Sequence, residues 1–456
     1  MNRLLVLDVV GLTPDLLRHA PHLSALAGRG GRRALDTVFP AVTTTVQASM
    51  LTGLTPAGHG IVGNGWYVRD LAEVMFWRQA NALVGGDRVW RAGRRRDPAF
   101  TTAKLFWWYN MYADVDWAVT PRPMYPADGR KLPDIHSHPA ALRDHLNGKL
   151  GTFPLFRFWG PASDIVASRW ITDCALDVVA EQDPTLTLVY LPHLDYCLQK
   201  LGPDHPDIAR EVAAVDALCG ELIAQADARG AATLVVSEYG ITPVSGAVMV
   251  NQALRRAGWL AVRTEMGLEQ LDAGASAAFA VADHQAAHVY VRDPELIPQV
   301  RAVLEGLDGV EHVLDRAGQA AWGIDHERSG ELVCVSAADR WFCYYHWLDD
   351  ARAPDYARTV DIHRKPGYDP VELFLDPKFA WPLASVGWRV ARRKLGLRGL
   401  IDVIPLRPDL VKGSHGRPGN DPEKGPLVIS SEGGFLPPGA VPATAVHDLI
   451  LAHVFA

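Results

Sequence analysis

Three acids fall at or just past the ends of three apolar runs: Asp8 in LLVLDVV, Asp195 after TLTLVYL and Glu238 after ATLVVS. Brought to one place, three carboxylates repel one another unless a cation stands between them. Oxygen-rich sets of this kind suit divalent metals. Each acid alone is an ordinary polar residue after a strand; the three together read as a metal site. A second candidate is FPAVTTTVQASMLTG, Phe39 to Gly53, where Thr43, Thr44 and Thr45 precede a helical stretch from Val46 to Leu51. Threonine before a helix is normally a cap. The same hydroxyl also lies at the positive end of the helix dipole, where backbone N–H groups hold a phosphate. A metal that lowers its pKa turns it into an alkoxide nucleophile.

The elements that must position these residues are legible in outline. Leu4 to Val10, Thr185 to Leu191 and Ala232 to Ser237 are short, apolar, β-branched runs, with a helical stretch beginning near Pro14. Pro206 to Arg229 repeats apolar residues at helical spacing (Ile208, Val212, Val215, Leu218, Leu222, Ile223) and reads as a crossover helix. The pattern predicts an α/β fold: a mostly parallel central sheet with helices on both faces. Ligands of such sheets bind outside the carboxyl ends of the strands, where the three acids fall. Beyond residue 250, His288 to Val291 and Glu331 to Ser336 read as strands, Asp349 to Pro382 as an irregular excursion, and Ala443 to Phe455 as a closing helix. Val386 to Leu400, basic with Trp and Leu, reads as a solvated helix face rather than a membrane-surface helix.

Bulk composition excludes several classes. Hydrophobic content of 48% and charge of 21% describe a globular chain with a large core. A net charge of −7 without a basic stripe gives no case for a nucleic-acid polymer as partner. No apolar run is long enough to cross a membrane, and Asp8 interrupts the only stretch resembling a leader. Five scattered cysteines without CxxC spacing argue for a reducing, cytoplasmic setting.

Together these stretches resemble the nucleotide pyrophosphatase/phosphodiesterase branch of the alkaline phosphatase superfamily. PAVTTTVQASMLTGLTPAGHGIVGN carries Pro40, Thr43, Thr52, Gly53, Leu54, Pro56, His59, Gly60 and Ile61 at the spacing of that branch's nucleophile segment. Asn64 stands where the family places a phosphate-oxygen donor. Asp195 with Gly202 and Pro203 matches its Asp-x-x-x-His-x-x-Gly-Pro loop, and GSHGRPGND, with His415, its late Gly-x-His-Gly metal loop. The resemblance implies an alkaline-phosphatase-like fold forming a single catalytic domain over residues 1–456, with an inserted, irregular, cap-like region at about 340–405.

By the same resemblance Thr43 is the catalytic nucleophile, Asn64 binds substrate, and two divalent ions, zinc in the family, are held in two sets. One set is Asp8, Thr43 and the family's Asp-His pair, which here reads Glu238-Tyr239. The other is Asp195, a His four residues on, here Gln199, and His415. Gln ligates weakly through its carbonyl and Tyr only when deprotonated, so either the metal differs, Mg²⁺, Mn²⁺ or Ca²⁺ suiting the altered set better than zinc, or one site is weak or empty. His193, Asp283, His284, Asp361 and His363 are candidate replacement ligands, and the loop holding Asp361, His363, Arg364 and Lys365 is a candidate phosphate contact. The expected function is a metal-dependent hydrolase of small phosphate esters, phosphodiesterase- or nucleotide pyrophosphatase-like. The alternative is a metal-poor pseudoenzyme that binds a phosphorylated ligand or a partner protein.

Overall fold

The computed structural model describes residues 1–379, 387, 401–419 and 421–456. The basic stretch 386–400 lies, apart from Gly387, outside the described residues. The strands used below are β1 (Leu4–Val9), β2 (Gly31–Asp36), β3 (Thr102–Leu105), β4 (Trp117–Pro121), β5 (Ile135–His138), β6 (Leu186–Leu191) and β7 (Ala232–Val236). They continue with β8 (Ala278–Asp283), β9 (Ala286–Val291), β10 (Val310–Leu314), β11 (Leu332–Ser336), β12 (Leu427–Ser430) and β13 (Val441–Pro442). The helices are α1 (Pro21–Arg29), α2 (Thr43–Thr52), α3 (Ile165–Gln182), α4 (His193–Leu201), α5 (Ile208–Ala228) and α6 (Val446–Phe455).

Nine strands form the central sheet in the order β13-β2-β12-β7-β1-β6-β3-β4-β5. The five in the middle, β7-β1-β6-β3-β4, are mutually parallel, and antiparallel pairs occur only towards the margins. Burial explains why these runs are strands: every residue of β1 and β6 is buried, as expected for strands covered on both faces. One helix group, α1, α3 and α5, packs together, and another pairs α2 with α6; α5 and α6 both reach β1. The apolar positions of the crossover helix, Ile208 to Ile223, are its buried face. Register decides where the acids go. Asp8 pairs with Tyr190 and with Val236, so the chain leaves β6 and β7 at the level of Asp8 and delivers Asp195 and Glu238 to the same edge.

A second, antiparallel sheet, β8-β9-β11-β10, has its own core around Phe279, Tyr290, Trp341, Tyr344 and Trp347. Its β8–β9 hairpin pairs Asp283 with Ala286 across a two-residue turn. His284 takes left-handed backbone there, φ 58°, a conformation that ordinarily favours glycine. The segment 343–379 runs as coil and 3₁₀ turns, yet Tyr356, Lys365, Tyr368 and Leu373 are buried in it. The loop expected to offer Arg364 and Lys365 to a phosphate does not do so. Lys365 is buried and paired with Asp369 and Glu372, each at 2.7 Å, and Arg364 pairs with Asp355 at 3.0 Å. Burying a lysine requires this compensation.

Candidate active site

The nucleophile candidate does not cap its helix. α2 begins at Thr43 itself, with Val42 at the N-cap and no side-chain cap, so the hydroxyl of Thr43 is free for another partner. Every residue of α2 is buried, polar ones included, and such groups need hydrogen bonds. Ser49 bonds His59 Nε2 at 2.8 Å and Thr52 returns to the carbonyl of Ala48 at 2.7 Å. Gln47, one turn after Thr43 and on the same helix face, points at the acids.

Gln47 organises the first half of the site. Its Nε2 donates to Asp8 Oδ2 at 2.9 Å and to Glu238 Oε1 at 2.8 Å, and its Oε1 accepts from the backbone N–H of Trp108 at 2.7 Å. That last bond fixes which way the amide faces. Asp8 and Glu238 are fully buried, and burial pushes both carboxyl pKa values up. The charge of Asp8 and a hydrogen bond between the two carboxyls raise Glu238 further, that bond also holding Asp8 down, while the nearby Thr43 hydroxyl lowers Glu238. One oxygen of each carboxylate, Asp8 Oδ1 and Glu238 Oε2, is buried without a partner. Sequence reasoning missed Gln47, although its i+4 spacing from Thr43 was a usable signal.

The second half is closed by hydrogen bonds. Asp195 lies in the first turn of α4 with Gln199 one turn later. Gln199 Nε2 donates to Asp195 Oδ2 at 2.8 Å, and Gln199 Oε1 accepts from Tyr368 at 3.0 Å. The carbonyl expected to reach a cation is therefore engaged elsewhere. Tyr239 Oη lies 2.9 Å from Thr43 Oγ1 and donates to Asp195 Oδ1 at 3.1 Å. Burial raises the Tyr239 phenol well above its ordinary pKa, so it is neutral, and it raises Asp195 to about 7. His415 is lowered to about 3 by burial, hence neutral; its Nδ1 bonds the carbonyl of Ala41 at 2.7 Å, and its Nε2 is buried without a hydrogen-bond partner, 3.5 Å from Asp195 Oδ1. The ring stacks on Tyr239 with centroids 3.5 Å apart.

Asn64 is placed beside the start of α2: its Oδ1 accepts from the backbone N–H of Thr44 at 3.1 Å. Asp283 holds it, taking the backbone N–H of Asn64 at 2.7 Å and its Nδ2 at 3.1 Å. This gives Asp283 a supporting part rather than a ligand's. His284 stacks between Tyr368 and His415, centroids 3.7 Å from each. His193 is outside the site, bonded to Glu211 at 2.8 Å. His363 bonds the carbonyl of Phe76 at 3.2 Å, and the backbone of Asp361 is tied to Glu372 at 2.9 Å. Half-buried Trp77 and Trp108, rings 4.7 Å apart, flank the nucleophile through backbone bonds to Asn64 and Gln47, and nothing in the sequence reading pointed to them.

The donors fit the two implied cation positions unequally. Among the described residues no group of three or more His, Cys, Asp or Glu side chains is arranged to hold a metal ion. In the first half, two bare carboxylate oxygens beside Thr43 suit one oxygen-seeking cation. In the second half both oxygens of Asp195 and the Gln199 carbonyl are already hydrogen-bonded, and no imidazole stands at 199 or 239. That set does not fit a metal.

A family model for type I phosphodiesterase / nucleotide pyrophosphatase matches residues 4–369. An uncharacterised pyrophosphatase/phosphodiesterase of Schizosaccharomyces pombe is 24% identical over 263 residues, covering 54% of this chain and 46% of that protein. The match thus spans less than half the length of that curated relative. Murine ectonucleotide pyrophosphatase/phosphodiesterase 5, in an inactive form with AMP, superposes with a TM-score of 0.61 at 14% identity over 100% of this chain and 95% of that one. Phosphonoacetate hydrolase from Sinorhizobium meliloti, with phosphonoformate, gives 0.62 at 16% identity over 99% and 96%. At such identities the likeness carries the fold, which agrees with the expected alkaline-phosphatase-like architecture. No helix among the described residues is long and apolar enough to cross a membrane.

Proposed function

The chain belongs to the type I phosphodiesterase / nucleotide pyrophosphatase family, and on that premise we propose that it hydrolyses a phosphoester or phosphoanhydride bond of a small molecule with Thr43 as nucleophile. The observation that carries this reading is the position of Thr43. It is the first residue of a buried helix, beside two carboxylates with bare oxygens and beside Asn64. The backbone N–H of Thr43 and the second Nδ2 proton of Asn64, the first being taken by Asp283, would hold the non-bridging oxygens of the substrate. Thr43 Oγ1 attacks phosphorus in line, the leaving group departs opposite, and water later releases the phosphoryl group from the threonine.

Asp8, Glu238 and Thr43 would hold a divalent cation of the Mg²⁺ or Mn²⁺ kind, which when bound lowers the pKa of the attacking hydroxyl. On attack the Thr43 proton would pass to Tyr239 as the Tyr239 proton passes to Asp195, and Gln47 keeps both carboxylates facing Thr43. Tyr368, from the segment after residue 340, reaches Gln199, which supports treating the whole chain as one catalytic unit. The net charge of −7 supports a small substrate rather than a nucleic-acid polymer, and the five free cysteines support a cytoplasmic setting.

The test is turnover of bis-p-nitrophenyl phosphate with Mg²⁺, Mn²⁺, Ca²⁺ or Zn²⁺, alongside Thr43→Ala and mass-spectrometric trapping of the phosphorylated residue. Turnover that vanishes in Thr43→Ala, with phosphate on Thr43, bears the proposal out. No Thr43-dependent turnover with any ion would mean that the fold serves ligand binding instead.

A further inference from the structure

We infer that this chain holds one divalent cation rather than two, and that Tyr239 and Gln199 occupy by hydrogen bonds the place of a second. The inference deepens the proposed function and rests on it. The argument is an inventory of protons and lone pairs. With Asp195 ionised, a phenol has one proton to give and the carboxylate only accepts. The Tyr239 hydroxyl, 3.1 Å from Asp195 Oδ1, therefore gives its proton to Asp195. The contact of 2.9 Å to Thr43 then has only the Thr43 proton to fill it, with Glu238 as the other acceptor near that hydroxyl. The chain runs one way, Thr43 to Tyr239 to Asp195.

Gln199 is equally committed. Its Nε2 donates to the other oxygen of Asp195 at 2.8 Å, and its carbonyl takes the one proton of Tyr368. Turning the amide over to offer its carbonyl to a cation would set two oxygens 2.8 Å apart. His415 Nε2 is then the one buried polar atom of the set with no hydrogen bond, and Tyr239, lying flat on the His415 ring, has its hydroxyl between Asp195 and Thr43. Divalent ions take about four to six donors, and one nitrogen does not make a site. In the other half, Asp8 Oδ1 and Glu238 Oε2 remain bare beside Thr43. The cation would be held there, and Tyr239 is a positioning residue: by accepting the Thr43 hydrogen bond it would leave the lone pairs of Oγ1 open to the cation and to phosphorus.

The experiment is metal stoichiometry on the full chain, stripped with chelator, dialysed against Mn²⁺ and read by elemental analysis and by electron paramagnetic resonance. One Mn²⁺ per chain with an uncoupled six-line spectrum is expected. Glu238→Gln or, where that variant does not fold, Asp8→Asn should bind none. The double variant Gln199→His with Tyr239→His should take up a second ion and show an exchange-coupled pair. Tyr239→Phe should still bind one ion while kcat falls about tenfold, the loss of one hydrogen bond, with KM unchanged. Two ions in the parent protein, or one ion persisting in both Glu238→Gln and Asp8→Asn, overturns the inference. Absence of bound metal overturns it together with the metal-dependent part of the proposed function. One ion without Thr43-dependent turnover leaves this inference standing and removes the hydrolase.

Discussion

The two halves of the site are built from similar residues and end in different states. Around Asp8 and Glu238, a single amide group of Gln47 serves two carboxylates, and one oxygen of each stays bare. Around Asp195, two donors serve one carboxylate, and only a histidine nitrogen is left over. The residue types alone do not separate these cases, since each half has an acid and a glutamine. What separates them is which lone pairs are already taken. A buried carboxylate oxygen without a donor is costly, and either a proton, as the raised pKa values of Asp8 and Glu238 show, or a cation removes the cost; a carboxylate with both oxygens bonded carries less of it.

The largest effect that would sharpen this comparison is at Thr43, the proposed nucleophile they share. Thr43→Ala should lower kcat by roughly 10⁴- to 10⁶-fold, measured on a saturating diester, while Thr43→Ser keeps measurable turnover; equal rates for parent and Thr43→Ala would break the assignment of both halves to catalysis. Next comes Gln47→Leu, which leaves the Asp8 and Glu238 carboxylates without their donor. In chelator it should lose about 1–3 kcal/mol or more of unfolding free energy, and added Mg²⁺ should return part of that by binding the folded state. Loss without recovery would show that the first half does not take a cation.

The third prediction concerns pH. Burial raises the Asp195 carboxyl from 3.8 to about 7, so between these values the folded protein keeps a proton that the unfolded chain releases. The contribution of this group to stability is present at low pH and is lost as pH rises through that window. In chelator, Asp195→Asn should therefore gain on the parent by on the order of 2–4 kcal/mol from pH 4 to pH 7, followed by urea unfolding at each pH. A gap that stays constant would show that Asp195 is ionised throughout. The smallest effect is Tyr368→Phe, which removes the hydroxyl bonded to Gln199 and should cost about 0.5–1.5 kcal/mol with the cation count unchanged; a second ion appearing in this variant would mean that Tyr368 alone keeps Gln199 from ligating.

What the sequence by itself determined was the frame. β-branched runs buried on both sides become parallel strands wherever they sit in the chain, so Asp8, Asp195 and Glu238 were bound to reach one edge of the sheet, and the nucleophile segment ending at Gly53 was bound to form a helix entering there. These are outcomes of local pattern, and the residues carrying them are contiguous. The structure moved the start of that helix to Thr43, which freed the hydroxyl from capping. Only the tertiary structure decided the hydrogen bonding. Gln47 meets Glu238 across 191 positions, Asp283 meets Asn64 across 219 and Tyr368 meets Gln199 across 169. Lys365, a phosphate contact by sequence pattern, turned out to be neutralised within its own buried loop. The reason is physical: strand and helix formation answer to the neighbouring residues, whereas the state of a buried lone pair answers to whichever donor the folded chain brings within 3 Å or so, and that donor is set by packing between segments far apart in sequence.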